Sequence, residues 1–352
     1  MYRRLRIRLL RTLWAIQRLF RAPVYIQQKR QWCPIGWQPS VLAPVFYGYR
    51  DYTVPHVCRV FFPSLDGAPA SAPILEGCGR YPLVLFLHGD CNKEPAEHYL
   101  KWFELPAQLA RAGYIVAVPQ VAHGSPWNDS LTPLHGLVTW IRAQWEYRHM
   151  LLPSPATGVI GHSYGALLGA RLAKEIPVAA YVGLSGVWND WPSASGAWPV
   201  TQLAVPNLST WGTGTDDLQE IHAVIGDAQW AGFPLPRHKA TLTRGQHWDY
   251  LIGGRTACEA GVRGPCRWTH VYIMDLVCLF AGKYLPPESW PNLGNQIADS
   301  LDPPAYGLTT EQRFFAGGHL LGMSLMEDEP GCSVVVSWAN VAGEADTVVR
   351  PC

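Results

Sequence analysis

The sequence lacks the long apolar segment that a membrane-spanning helix requires. Although 48% of the 352 residues are apolar, no uninterrupted apolar run reaches the roughly 18 residues of such a helix. The first residues also lack the continuous apolar stretch and the small-residue cleavage site of a secretory signal peptide. These absences argue against a membrane span and a typical signal peptide, and they leave the apolar residues available for a large core.

Cysteine pairs of the CxxC kind are absent as well, although the chain has nine cysteines. This absence argues against a zinc site built on such pairs, and the odd number leaves at least one thiol unpaired unless it pairs between chains. Two pairings stay open, Cys258 with Cys266 and Cys332 with Cys352. They favour an extracytoplasmic compartment, whereas Cys278 lies in an apolar helical pattern and is predicted to be a core thiol.

Acidic residues are missing from the first 50 positions, which contain ten of the 28 Lys and Arg residues. The rest of the chain has 18 basic and 27 acidic residues. This excess of negative charge argues against a nucleic-acid partner, which would favour a basic surface. In residues 1–21, seven arginines interleave with apolar residues at helical spacing, which predicts a basic amphipathic helix. Such a helix suits peripheral contact with an anionic membrane surface. The alternative is a disordered or wrongly assigned start.

Apolar runs alternate with helical patterns through the middle of the chain. Strands are predicted at residues 45–52, 56–63, 81–87, 114–119, 158–160, 178–184, 207–211 and 239–243, and helices at residues 97–112, 134–147, 166–173 and 270–284. This alternation predicts the α/β class, with a mostly parallel sheet and helices on both of its faces. Ligands of such sheets bind beyond the carboxyl ends of the strands.

The two ends of the chain differ from this middle. We predict a basic N-terminal segment and lead at residues 1–44, and a single α/β domain at residues 45–285. Residues 286–304, with five prolines, are predicted to be a linker. Residues 305–352 combine glycines with short apolar runs, which predicts a β-rich C-terminal extension.

Residues 161–165 have the sequence Gly-His-Ser-Tyr-Gly, a GxSxG pattern between an apolar run and an Ala- and Leu-rich helical segment. In a strand–turn–helix of this kind the central serine, Ser163, adopts strained backbone geometry, and its hydroxyl stands clear of the sheet. The two glycines are needed because larger side chains would collide with the neighbouring strand and helix. Ser163 is therefore the predicted nucleophile, and a simple Gly/Ser loop is the alternative.

A serine hydroxyl becomes a good nucleophile when a histidine takes its proton and a carboxylate orients that histidine. Asp216 is the first acidic residue after the strand at 207–211, so we prefer it to Asp217, which suits the cap of the next helix. A turn or cap role for both aspartates stays open. Among the twelve histidines, His247 follows a strand after this acid on a glycine-bearing loop, and it is the predicted base.

Two further features complete the predicted site. Negative charge developing on a reacting carbonyl oxygen needs two backbone N–H donors, for which we select Tyr164, after the serine, and Asp90, after a His-Gly turn. Tyr164, Trp188 and Trp248 are candidates for an aromatic, apolar substrate pocket. For each tryptophan a place in the core is the alternative. No residues are predicted to bind a metal.

These motifs, at residues 81–90, 161–165, 211–216 and 245–247, resemble those of the α/β-hydrolase superfamily. Over residues 45–285 the chain is similar to an esterase and lipase branch, which includes chlorophyllase-like proteins, platelet-activating-factor acetylhydrolases and cutinase-like polyester hydrolases. The resemblance implies a serine carboxylic-ester hydrolase that forms an acyl-enzyme, needs no metal or organic cofactor, and acts on a small or polymeric apolar ester. The same residues would serve an acyltransferase or a thioester or amide hydrolase. A non-catalytic binding protein with this fold is the other alternative.

Overall fold

The computed structural model describes the chain in segments that include a large sheet and the helices packed on it. These segments are residues 25–28, 31–34, 46–64, 68–76, 79–89, 99–121, 131–186, 203–213, 232–243, 245, 247, 250, 269–288, 333–339 and 345–351. No helix within them has the length and apolar character that crossing a membrane requires. The predicted amphipathic helix and the two predicted cysteine pairs lie outside these segments.

The strands and helices alternate along much of the chain. The described strands are β1 (Tyr25–Gln28), β2 (Gln31–Pro34), β3 (Phe46–Tyr52), β4 (Cys58–Ser64), β5 (Leu83–Leu87), β6 (Ile115–Pro119), β7 (Thr157–His162), β8 (Ala180–Leu184), β9 (Asn207–Gly212), β10 (Arg237–Thr243), β11 (Ser333–Ala339) and β12 (Ala345–Pro351). The described helices are α1 (Glu104–Arg111), α2 (Thr132–Ala143), α3 (Tyr164–Glu175) and α4 (Thr269–Tyr284), with a short 3-10 helix at Arg148–Met150.

Ten of the described strands form one sheet, in the spatial order β12-β11-β10-β9-β8-β7-β5-β6-β4-β3. Strands β5 to β10 pair with one another in parallel. Antiparallel strands complete both edges, with β3 and β4 at one edge and β11 and β12 at the other. The parallel strands therefore share one carboxyl edge, where the ends of β5, β7, β8, β9 and β10 lie side by side.

The strand β5 shows how the helices cover the sheet. All of its residues, Leu-Val-Leu-Phe-Leu, are buried. Val84 and Phe86 pack in an apolar cluster with residues of α1 and α4, whereas Leu83, Leu85 and Leu87 pack in a second cluster with residues of α2 and α3. Because side chains alternate along a strand, one continuous apolar run supplies both faces. The predicted fold class, a mostly parallel α/β sheet with helices on both faces, is confirmed.

Two predicted helices have different bounds in the structure. The helix predicted at residues 97–112 begins only at Glu104. Pro106 explains this start, because a proline lacks the N–H of an interior residue and is tolerated in the first turn of a helix. The helix predicted at residues 134–147 already ends at Ala143.

Side chains from α2 and the turn after it contact distant parts of the chain. Trp145 is buried in that turn and donates its indole N–H to the hydroxyl of Tyr52 at 2.8 Å. This bond, just beyond the end of α2, joins residues that are 93 positions apart. Arg142 of α2 donates to the carbonyl oxygens of Leu152 at 3.0 Å and Ala156 at 3.3 Å, and to the hydroxyl of Thr157. These bonds hold the chain at the point where it enters β7.

The ends of the chain also contribute strands. β1 and β2 form an antiparallel pair within the lead, where the sequence pattern predicts no strand. β11 pairs with β10 over its whole length, so the C-terminal strands extend the main sheet. Cys278 of α4 is buried in the apolar cluster on the α1 and α4 face, which confirms it as a core residue. The predicted domain boundaries stay predictions.

Candidate active site

Residues 161–165, which we call the elbow, connect a strand to a helix through one residue. β7 ends at His162 and α3 begins at Tyr164, so Ser163 alone forms the turn. Its backbone angles are φ 53° and ψ −124°, and a residue with a side chain adopts a positive φ only at an energetic cost. Ser163 is 7% exposed. The strand, the strained turn and the helix predicted around Ser163 are all present.

Both glycines of the elbow lie directly against backbone atoms. A Cβ on Gly161 would collide with the carbonyl group of Gly165, and a Cβ on Gly165 would collide with the carbonyl oxygens of Leu87 and His88. This close approach explains why both positions require glycine. It also brings the start of α3 onto the end of β5.

The residues on either side of the turn hold it in place. The N–H of Ser163 donates to the carbonyl oxygen of Leu184 on β8 at 2.9 Å. Tyr164 is the first residue of α3. The first N–H groups of a helix point out of its N-terminal end. The ring of Tyr164 is buried in the apolar cluster on the α2 and α3 face. The amide of Tyr164 thus lies at a helix N-terminus. That its ring lines a substrate pocket stays a prediction.

His247, the predicted base, lies in the loop after β10 and is completely buried, at 0% exposure. Its ring centroid is 4.8 Å from that of His162, and its carbonyl oxygen is 2.7 Å from Nε2 of His162. Because His162 directly precedes Ser163, the fold brings His247 onto the elbow across a separation of 85 residues.

The loop after β5 also meets the elbow. A Cβ on Gly89 would be 2.8 Å from the Cβ of Ser163 and 2.8 Å from Nδ1 of His162. Only a glycine fits here without a shift of the neighbouring atoms. The turn before Asp90, which we predicted as an oxyanion donor, is therefore packed against the candidate nucleophile.

His88 holds this turn through both nitrogens of its ring. The N–H of Val121, after β6, donates to Nε2 of His88 at 3.0 Å, so Nε2 is the acceptor nitrogen. The proton is then on Nδ1, which lies 2.8 Å from the carbonyl oxygen of Gly89 and donates to it. The sequence places His88 in the turn before Asp90 but predicts no role for its side chain. The feature of the sequence that could have indicated this role is a histidine between a buried strand and a glycine.

Several predicted site residues lie outside the described segments, and their assignments stay predictions: Asp90, Trp188, Asp216, Asp217 and Trp248. The chain leaves β9 towards Asp216 and Asp217, and it does so beside the loop of His247. There the N–H of Thr213 donates to the carbonyl oxygen of Leu242, at the end of β10, at 3.0 Å.

Backbone strain concentrates at this carboxyl edge. Ser163 and Ser185 are the residues other than glycine that have a positive φ in the described segments. Ser185, with φ 40°, directly follows β8 and is buried, and its N–H donates to the carbonyl oxygen of Thr210 at 2.7 Å. Strained residues persist only where the surrounding structure holds them, and they cluster at functional sites.

These groups combine a buried hydroxyl, a buried imidazole and a helix N-terminus at one edge of the sheet, which suits nucleophilic attack with proton transfer to the imidazole. Within the described segments, no group of three or more His, Cys, Asp and Glu side chains could hold a metal ion.

In a comparison with sequence models of protein families, the chain matches the model described as the alpha/beta hydrolase family. The match covers residues 84–334, more than two thirds of the 352 residues, and includes the elbow, His88 and His247. A search of curated proteins finds no significant match.

Proposed function

Because the chain belongs to the alpha/beta hydrolase family, we propose that it is a serine hydrolase of carboxylic esters. The observation that carries the proposal is the strained, buried turn at Ser163 with His247 packed beside it. A positive φ at a serine flanked by two close-packed glycines is costly, and a nucleophile presented to substrate is the use that fits it.

In the proposed reaction, Oγ of Ser163 attacks the ester carbonyl carbon while His247 takes its proton. The tetrahedral intermediate carries its negative charge on the former carbonyl oxygen. When it collapses, the carbon–oxygen bond to the alcohol breaks and His247 returns the proton to that alcohol. A water molecule then attacks the acyl carbon while His247 takes its proton. When this second intermediate collapses, the bond from the acyl carbon to Oγ of Ser163 breaks, the carboxylic acid leaves, and His247 returns the proton to Oγ. Asp216 is proposed to orient His247, with Asp217 as the alternative.

The backbone N–H groups of Tyr164 and Asp90 are proposed to bind the oxyanion. The position of His88 supports the second donor. Its Nδ1–H holds the carbonyl oxygen of Gly89, which belongs to the same peptide group as the N–H of Asp90. This bond fixes the turn that leads into the proposed donor.

The proposed substrate is an apolar acyl ester, of the lipid or polyester type. Support comes from the resemblance to esterases and lipases and from Tyr164, Trp188 and Trp248 as candidates for the pocket. No metal or organic cofactor is proposed. Peripheral contact of residues 1–21 with a membrane is proposed from their charge and spacing alone.

Covalent labelling of the serine tests the proposed function. Wild-type protein should react with a fluorophosphonate probe and hydrolyse p-nitrophenyl esters, and Ser163→Ala should lose both while keeping the unfolding temperature. Ser71→Ala, which changes an exposed serine, is the matched control and should retain both. An unlabelled wild type, or full hydrolysis by Ser163→Ala, would exclude the proposal. A series of p-nitrophenyl esters from acetyl to palmitoyl would then report the depth of the acyl pocket.

A further inference from the structure

His162, the residue before the candidate nucleophile, lies within a cluster of rings from three parts of the chain. Its buried ring is 4.7 Å from Trp102, 4.8 Å from His247 and 5.4 Å from Tyr250, measured between centroids. Trp102 precedes α1, and His247 and Tyr250 belong to the loop after β10. The side chain of His162 is thus the contact between the elbow and the loop that bears the candidate base.

The hydrogen bond from His162 to this loop has one direction. Nε2 of His162 lies 2.7 Å from the carbonyl oxygen of His247. A carbonyl oxygen can only accept, so Nε2 carries a proton and donates it. The bond acts on the main chain of His247 and not on its imidazole.

The opposite side of the His162 ring meets the loop after β5. Its Nδ1 would be 2.8 Å from a Cβ placed on Gly89, so the ring occupies the space beside this turn. His162 itself is the last residue of β7, all of whose residues are buried. A buried strand therefore presents one imidazole between the two loops that approach Ser163.

We propose that His162 is a positioning residue, which sets the distance between the imidazole of His247 and Oγ of Ser163 by holding the backbone of His247. The inference rests on the proposed function, in which His247 is the general base. A base must lie within hydrogen-bond reach of the proton that it takes. Displacing a catalytic group by about 1 Å can lower a rate by roughly 100-fold, so a bond that fixes the base loop acts on kcat.

A matched pair of variants isolates this bond. The amide nitrogen of glutamine lies as many bonds from Cα as Nε2 of histidine, so His162→Gln retains the donor. His162→Met has the same length and no donor, and both variants lose the ring. We expect His162→Met to have a kcat at least about tenfold below that of His162→Gln, the factor that one hydrogen bond supplies. KM for p-nitrophenyl acetate should be the same for both within about twofold, as expected of a change that alters positioning and not binding.

Hydrogen exchange separates this inference from the proposed function. Amides of residues 245–250 should exchange about tenfold faster in His162→Met than in His162→Gln, since one hydrogen bond has been lost. Peptides from β5 and β6 should exchange equally in both variants. If wild-type protein neither binds the fluorophosphonate probe nor hydrolyses esters, the proposed function fails, and the exchange comparison still tests the bond.

Equal exchange of residues 245–250 in the two variants would overturn the positioning role. In a wild type that is active, equal kcat values would overturn it as well. If His162→Met does not fold, His162→Asn replaces it, because its shorter amide cannot reach the carbonyl oxygen of His247. A loss of kcat in His162→Asn that His162→Gln does not show would support the inference.

Discussion

The carboxyl edge and the amino edge of the parallel sheet both bury histidine, but the surroundings differ. At the carboxyl edge, His88 and His162 bond to main-chain groups of other loops, at 3.0 and 2.7 Å. At the amino edge, His238 near the start of β10 lies against the rings of Phe280 and Tyr284 of α4, at 5.5 and 5.7 Å between centroids. His88 and His162 thus connect loops, whereas His238 fills an apolar space between the sheet and α4.

This difference has an electrostatic consequence. Burial, reinforced by the neighbouring ammonium group of Lys283, lowers the pKa of His238 from 6.5 to about 3, and a contact with the backbone of Asn207 opposes this only in part. His238 is therefore neutral in the folded protein at physiological pH. Burial alone therefore does not distinguish the histidines of the two edges. What distinguishes the histidines of the carboxyl edge is their hydrogen bonding across loops at the strained turn.

The largest expected effect comes from removing one histidine at each edge. His247→Ala should lower kcat for p-nitrophenyl acetate by at least about 10⁴-fold, because nucleophile and base act as a unit. His238→Leu, of similar volume, should leave kcat within about threefold, because its site is at the opposite edge. Comparable losses in the two variants would show that the edges do not differ in function.

A smaller effect is expected from closing the space beside the elbow. Gly89→Ala places a methyl group 2.8 Å from both Ser163 and His162, and we expect kcat/KM to fall by about 100-fold through displacement of the turn. Gly136→Ala on α2 is the control, since its methyl group would be 2.9 Å from the ring of His56, a half-buried side chain in the turn before β4. Steady-state kinetics with thermal unfolding measure both. Equal activity of Gly89→Ala and wild type would contradict the proposed contact.

The smallest effect concerns stability at the amino edge. His238 has a folded pKa of about 3 and an unfolded pKa near its usual 6.5, so on acidification the unfolded chain binds the proton first. Its contribution is complete above pH 6.5 and is lost by about 1.4 kcal/mol per pH unit as the pH falls towards 3. Between about pH 7 and about pH 5, wild type should therefore lose about 2 kcal/mol more than His238→Leu.

Urea unfolding at the two pH values measures this difference. The matched variant removes the imidazole and keeps the apolar packing, so it cancels the contribution of the other titrating groups. Identical pH dependence in wild type and His238→Leu would mean that His238 is hydrated or paired in the folded protein, and the contrast between the two edges would then disappear.

Local patterns were enough to predict much of this fold. The run at residues 81–87 predicted a strand buried on both faces, and β5 has that environment. The start of α1 was missed because Pro106 outweighs the apolar spacing before it. The pair β1 and β2 was missed because its short segments carry no clear alternation of apolar and polar residues.

The sequence by itself determined the turn at Ser163, because an apolar strand, two glycines and a helical segment leave few other conformations for those residues. It also placed His247 after a strand, although not against any partner. Only the tertiary structure decided that His162 bonds to the backbone of His247, since 85 residues separate them and no local pattern encodes such a contact. The same holds for His88, whose second bond reaches Val121 on another loop. These contacts arise because parallel strands end at one edge, where loops that are distant in the sequence must pack together.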